Sequence, residues 1–181
     1  MSGQLATINP PVTEKKINVA ESTVEWMGHK VLGSHNGNID VKEGSLNFDE
    51  NNVLTGGGFS IDMTSITVKD LEPNKGGKKL EGHLKSADFF GVEKFPTAQF
   101  KITKVVSRGK TGEYKIIGDL TIKETTKEIK FDAVVNNNVA STSLKIDRSD
   151  FDIRYGSGSF FDNLGDKTIY DEFDLNISLA F

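Results

Sequence analysis

The sequence predicts an all-β protein: one closed or nearly closed antiparallel barrel of eight strands, with a short helix between two of them. Two observations carry this. Short apolar runs alternate residue by residue with polar ones along most of the chain, the period of a strand with one dry and one wet face. Glycine- and asparagine-rich turn signals separate these runs at regular spacing, as in antiparallel sandwiches and barrels.

The strands are placed near 16–32, 35–48, 53–63, 98–107, 113–123, 127–136, 139–148 and 168–181. In the first, Val24, Trp26 and Gly28 share one face, opposite Glu25, Met27 and His29. Asn36-Gly37 marks a turn signal near the start of the second. Phe59, Ile61 and Met63 alternate with Ser60, Asp62 and Thr64 in the third, after Gly56-Gly57-Gly58. Phe100 and Ile102 begin the fourth face, and Arg108–Gly112 turns the chain into the fifth. Ile129, Phe131, Ala133 and Val135 alternate with charged residues before Asn136-Asn137-Asn138. Phe173, Leu175, Ile177, Leu179 and Phe181 complete the last strand. The exception lies between Asp70 and Pro96, where Leu80 and Leu84 stand four apart among charged residues. That spacing predicts a short helix docked through its two leucines. Eight strands close into a barrel whose lumen is filled by side chains or holds one small ligand. Residues 1–15 read as an N-terminal extension and 16–181 as a single domain.

Composition excludes several classes. The net charge of −4, with lysines and arginines dispersed, lacks the basic footprint of a nucleic-acid binder. Without cysteine there are no disulfides, thiolate metal sites or cysteine nucleophile. No apolar run approaches the ~20 residues of a membrane-spanning helix. Met1–Pro11 has neither the basic nor the apolar region of a signal peptide. His29, His35 and His83 lack metal-ligand spacing, and Gly156-Ser157-Gly158-Ser159 lacks the strand–turn–helix setting of a nucleophile elbow. The reading is therefore of no metal, no cofactor and no enzyme.

Four stretches carry a resemblance. Leu80-Glu81-Gly82-His83-Leu84-Lys85-Ser86-Ala87-Asp88-Phe89-Phe90 resembles the L-x-S-x-D-F-F element of the YceI-like family, and Lys94-Phe95-Pro96-Thr97-Ala98-Gln99-Phe100 its following Y/F-P-x-x-x-F strand entry. Gly118-Asp119-Leu120-Thr121-Ile122-Lys123-Glu124-Thr125-Thr126-Lys127 is similar to its G-x-L-T-I-x-G-x-T-x segment, with Glu124 where the family often has glycine. Asp147-Arg148-Ser149-Asp150-Phe151 resembles its D-R-x-x-F element. The resemblance runs from about Ile17 to the C-terminus. It implies a lipocalin-like barrel of bacterial origin, periplasmic or secreted. It further implies a carrier of a long apolar lipid, a polyprenyl phosphate or isoprenoid quinone, without catalysis, and it makes a homodimer reasonable.

On that reading Val24, Trp26, Gly28, Phe59, Ile61, Phe89, Phe90, Phe100, Phe151, Phe160 and Phe161 line or cap the lumen. Ordinary core packing is the alternative for the phenylalanines. Gly28 either leaves room for a ligand or marks a bend in the barrel. His29, His35, Arg148 and Arg154 are head-group candidates, since an arginine can clamp a phosphate bidentately. The alternative for Arg148 is a pairing with Asp147, Asp150 or another surface acid. The loops carrying Phe89-Phe90 and Phe160-Phe161 form the expected gate. The competing reading is a barrel filled by its own side chains, acting as a protein-interaction or stress-response module.

Overall fold

The computed structural model describes residues 11–181. The alternating runs form nine strands in chain order: β1 (Thr13–Lys16), β2 (Asn18–Lys30), β3 (Gly33–Phe48), β4 (Leu54–Val68), β5 (Thr97–Ser107), β6 (Glu113–Ile122), β7 (Thr125–Asn136), β8 (Val139–Asp147) and β9 (Ile169–Ala180). Neighbours pair antiparallel in the order β3-β2-β9-β8-β7-β6-β5-β4, and a β3–β4 pairing closes the ring into an eight-stranded barrel. The short β1 adds to the outer half of β3, pairing Thr13 with Phe48 and Lys16 with Ser45. Of the stretch read as an N-terminal extension, residues 1–10 lie outside the described residues.

The eight strands read from alternation all appear. The additional β1 is too short to show a period. Between β4 and β5, Gly77–Lys85 forms α1, the one α-helix among the described residues. It begins after Gly76, whose φ of 104° only glycine adopts readily, and ends where the Ser86 N–H donates to the His83 carbonyl. The β6–β7 hairpin turns on Lys123-Glu124, with Lys123 rather than residue 124 in the left-handed region at φ 58°. The turn is thus made without the glycine seen often in the family.

Strand polarity divides the barrel into two ends. At the end holding the β3–β4 and β8–β9 partners Phe48, Leu54, Val139 and Ala180, aromatic side chains fill the lumen. The Phe48 and Phe181 rings lie 5.2 Å apart, and the Phe100 and Phe131 rings 5.4 Å apart. Buried Tyr114 accepts a hydrogen bond from the Leu54 N–H at 3.2 Å. At the opposite end the ladder is irregular. Asp40 pairs with Asp62 and Asn38 with Thr67, so β4 carries three more residues than β3 over this interval. The Ser65 hydroxyl takes the Asp40 N–H at 2.8 Å and the Pro96 carbonyl takes the Met63 N–H at 2.9 Å, so the bulge is hydrogen-bonded rather than frayed.

β7 and β8 pair only between Val134–Asn136 and Val139–Ser141. Beyond this they part, and a 3-10 turn over Arg148–Phe151 packs against β7 and β9 instead. Phe151 and the following Ile153 are almost wholly buried. Phe151 belongs to the buried core and is not among the residues that line the cavity.

A cavity at the open end of the barrel

The open end holds a cavity of about 270 Å³, near the lower end of the ~300–1,000 Å³ typical of ligand pockets. Its walls follow strand parity. β2 supplies Val24, Trp26 and Gly28; β4 supplies Ile61, Met63 and Ile66; and β9 supplies Ile169, Phe173 and Leu175. Ala98, Leu120, Ile122 and Ile146 complete the ring. Leu80 and Leu84 of α1, with Phe89 and Phe90 just after it, close over one side. The Leu80/Leu84 pair that predicts the helix thus docks it on the cavity. Ser86 fixes the turn that follows, since its hydroxyl donates to the His83 carbonyl and accepts from the Asp88 N–H.

Two features keep this end open where the other is filled. A Cβ at Gly28 would meet nothing nearer than Trp26 Cζ3, 3.9 Å away, so the glycine leaves free space and relieves no clash. Gly37 is different. A Cβ there would sit 1.7 Å from the Thr67 carbonyl oxygen and 2.8 Å from the Trp26 indole nitrogen. The missing side chain lets the Trp26 ring cross β3 and donate to that carbonyl at 3.1 Å, which fixes the largest side chain of the wall.

The polar groups gather at the mouth. His29, Lys30, His35, Arg148 and Tyr170 are the residues with charged or titratable side chains that line it. His29 faces Asp174 at 2.7 Å, and Lys145 donates to the same carboxylate at 2.8 Å. His35 faces Asp70 at 2.8 Å, and the Asn36 N–H donates to its other oxygen. His83 faces Asp88 at 2.9 Å and packs edge-on against Phe89 and Tyr155. Arg148 is only 4% exposed. Its Nη1, Nη2 and Nε donate to the carbonyls of Ile153, Ile169 and Tyr170 at 2.9, 3.0 and 3.3 Å. Its guanidinium lies 5.8 Å from the centre of the Phe89 ring. Neither Asp147 nor Asp150 forms an ion pair with it; the Asp147 side chain caps the 3-10 turn through Ser149.

These contacts shift several pKa values. The Lys145 and His29 hydrogen bonds hold the Asp174 carboxyl below its ordinary value. Burial opposes the charge on Asp70, but the Asn36 N–H and His35 outweigh it. Burial likewise opposes Asp171, and the Ser157 and Ser159 hydroxyls with the nearby Arg148 charge outweigh it. Burial lowers the Arg148 value, against the pull of Asp171 and Asp147. Carboxylates depressed in the folded state bind protons less readily than in the unfolded chain. Their stabilisation is complete above the unfolded value of ~4 and is lost as pH falls through the folded values. The thermal midpoint of the wild type should therefore fall more steeply below about pH 4 than that of the Asp70→Asn/Asp174→Asn double variant. Parallel curves would show that these carboxylates are not coupled to folding.

Of the lumen residues expected from sequence, Val24, Trp26, Gly28, Ile61, Phe89 and Phe90 line the cavity. Phe59 and Phe100 do not. They pair two register positions toward the filled end from the lining pair Ile61–Ala98, with rings 5.7 Å apart, and belong to the core packed beneath the cavity. Phe160 and Phe161 are exposed on the 156–161 loop and are not among the lining residues. Of the head-group candidates, His29, His35 and Arg148 lie at the mouth. Arg154 does not; it pairs with Asp152 and lies over the Phe160 ring at 4.6 Å. Sequence reading did not assign Lys30, Ile39, Met63, Ile66, Ala98, Leu120, Ile122, Ile146, Ile169, Tyr170, Phe173 and Leu175 to the site. Most continue apolar faces already visible in the alternation, and only the polarity of the strands shows which end of each face reaches the cavity.

Among the described residues no group of three or more potential metal-ligating side chains comes together, and no helix is long and apolar enough to cross a membrane. BcnA of Burkholderia cenocepacia superposes with a TM-score of 0.74 at 21% identity, over 91% of this chain and 99% of that one. A protein from Saccharophagus degradans, described as a polyisoprenoid binding domain implicated in plant cell wall breakdown, superposes with a TM-score of 0.60. It is 11% identical over 94% of this chain and 97% of that one. At such identities the likeness shows the fold. A UPF0312 protein of Vibrio parahaemolyticus is 32% identical over 140 residues, 70% of this chain and 69% of that protein. Another from Pectobacterium carotovorum is 33% identical over 97 residues, 54% of this chain but 46% of its own length. The chain spans roughly half to seven tenths of these relatives. The YceI-like domain profile matches residues 16–181, from the end of β1 through the whole barrel, and the chain belongs to that family.

Proposed function

We propose that this protein binds the long apolar chain of an isoprenoid in the open half of its barrel, as a carrier without catalysis. The observation that carries the reading is the asymmetry of the lumen. One half is packed with aromatic rings, and the other encloses a cavity walled by aliphatic and aromatic side chains. Each five-carbon prenyl unit buried there contributes about 4 kcal/mol before entropic losses, at ~0.8 kcal/mol per methylene. A few such units produce slow dissociation without any chemical step. The likeness in fold to a polyisoprenoid binding domain supports the same ligand class. Placement outside the bacterial cytoplasm and assembly as a homodimer belong to this proposal and rest on the family resemblance alone.

Exchange requires the α1 segment to move, because Leu80, Leu84, Phe89 and Phe90 cover the cavity from one stretch of chain. Native mass spectrometry of freshly purified protein, followed by solvent extraction, is the test. A discrete apolar adduct in near-stoichiometric amount is expected. A clean polypeptide mass that stays unchanged after incubation with prenols and isoprenoid quinones would leave the barrel as a protein-interaction module.

A further inference from the structure

We propose that the open end of the barrel docks on the surface of a lipid bilayer, so that the apolar chain passes between membrane and cavity without crossing water. This rests on the reading that the cavity takes such a chain. Among the described residues the exposed aromatic side chains are Tyr155, Phe160, Phe161 and Tyr170, all in one stretch of chain. Val31 and Leu32, at 44% and 72% exposed, form the tip of the β2–β3 hairpin. Elsewhere the large exposed apolar residues are valines and Met27. The two segments meet at the mouth. The Val31 N–H donates to the Thr168 carbonyl at 3.2 Å, and the Ile169 N–H to the Gly156 carbonyl at 2.8 Å. Lys30 and Tyr170, next to these contacts in the chain, are exposed and line the cavity. At the start of the stretch the Tyr155 ring lies 4.5 Å from His83 and 5.4 Å from Phe89, so it reaches the α1 segment that covers the cavity.

The exposure is built into the fold. Ser157 is wholly buried, and its hydroxyl donates to Asp171, whose other oxygen accepts from the Ser159 hydroxyl. The Phe160 and Phe161 N–H groups both donate to the Ser157 carbonyl, at 3.2 and 3.0 Å. Polar groups therefore anchor the loop and hold its two phenylalanines in water, which is unfavourable until an apolar phase covers them. A bilayer is the covering that also dissolves the ligand, and its head-group boundary takes up Phe, Leu and Tyr side chains. A protein seated there would close the mouth of a carrier. Lys30 and Lys167 stand on either side of the Val31–Thr168 contact, and neither is ion-paired among the described residues. Asp162 and Asp166 on the same loop offset them, so apolar insertion supplies most of the attraction and anionic lipid a modest gain.

Flotation of the full chain with extruded vesicles is the test, with phosphatidylcholine alone and with an equimolar mixture of phosphatidylcholine and phosphatidylglycerol. The wild type should float with both, and somewhat more with the mixture. The Leu32→Ser/Phe161→Ser double variant should partition at least about tenfold less on either, since two apolar side chains no longer insert. Both positions are exposed and neither lines the cavity. Quenching of Trp26 by a brominated prenol in vesicle-free solution should therefore be unchanged, which also shows that the variant is folded. Transfer of the prenol from vesicles to the protein should slow by a similar factor. A wild type that does not float, or a double variant that floats equally well, would overturn the docking proposal; normal prenol quenching in the same samples would leave the apolar-chain reading standing. A wild-type dimer in sedimentation velocity that the double variant loses, without vesicle binding, would also overturn it and assign the exposed residues to a second copy. Vesicle binding without any prenol quenching would overturn the apolar-chain reading and with it the passage of the chain.

Discussion

Gly28→Leu is expected to weaken binding of an apolar chain on the order of 100-fold while leaving the barrel folded. The glycine lines the cavity, and space opens from its α-carbon with nothing nearer than Trp26 Cζ3 at 3.9 Å. A leucine side chain would occupy the room of most of one prenyl unit. Excluding four buried carbons costs the ligand about 3 kcal/mol, or roughly 100-fold in affinity. The same side chain adds apolar contacts to the protein, so the thermal midpoint should hold or rise. Binding at wild-type strength in this variant would place the chain outside the cavity. The shorter Gly28→Ala should scarcely change stability, because its methyl group meets only van der Waals contact.

Gly37→Ala should do the reverse and damage the fold. An added Cβ would fall 1.7 Å from the Thr67 carbonyl oxygen and 2.8 Å from the Trp26 indole nitrogen. Neither can withdraw cheaply. The carbonyl belongs to the β3–β4 seam that closes the barrel, and it accepts the indole hydrogen bond. Relief requires β4 to shift or Trp26 to swing away from Thr67 and give up its hydrogen bond. Overpacking with loss of that hydrogen bond should cost about 3 kcal/mol or more, lowering the thermal midpoint by roughly 8 °C in a chain of this size. A variant as stable as the wild type would mean that the seam yields easily and that Trp26 is not fixed by it.

The pair shows where sequence reading stops. Both glycines lie in strands, although Asn36-Gly37 reads from sequence as a turn and Gly28 as room for a ligand or a bend. The fold assigns them different roles, one set by a carbonyl across the seam and the other by open space. The same limit explains the phenylalanines. Alternation places Phe59, Ile61 and Phe100 on inward faces, but it is blind to depth. Ile61 lines the cavity, while Phe59 and Phe100 fall two register positions below it. Phe151 also carries no sign of its place, because the 3-10 turn that holds it packs against β7 and β9 only where β7 and β8 part after three paired residues. Arg148 was legible as a cation near the ligand. That its partners are backbone carbonyls rather than carboxylates depends on Ile153, Ile169 and Tyr170 converging from two later stretches of chain. The Leu80/Leu84 spacing predicts the docked helix, and Phe89 and Phe90, expected at the lumen or its lid, line the cavity beside it. A helix of nine residues in so polar a segment has little to dock with except its two leucines and the aromatic pair that follows.

The chain contains a single tryptophan, Trp26, and it lies in the cavity wall. Its fluorescence therefore reports directly on whether an apolar chain enters the barrel. Titration with a prenyl or acyl chain carrying bromine along its length should quench that emission saturably at one chain per protein, and Gly28→Leu should suppress the effect. Emission unchanged by a brominated chain that demonstrably binds, or quenching that rises without saturation, would contradict a lipid-holding lumen.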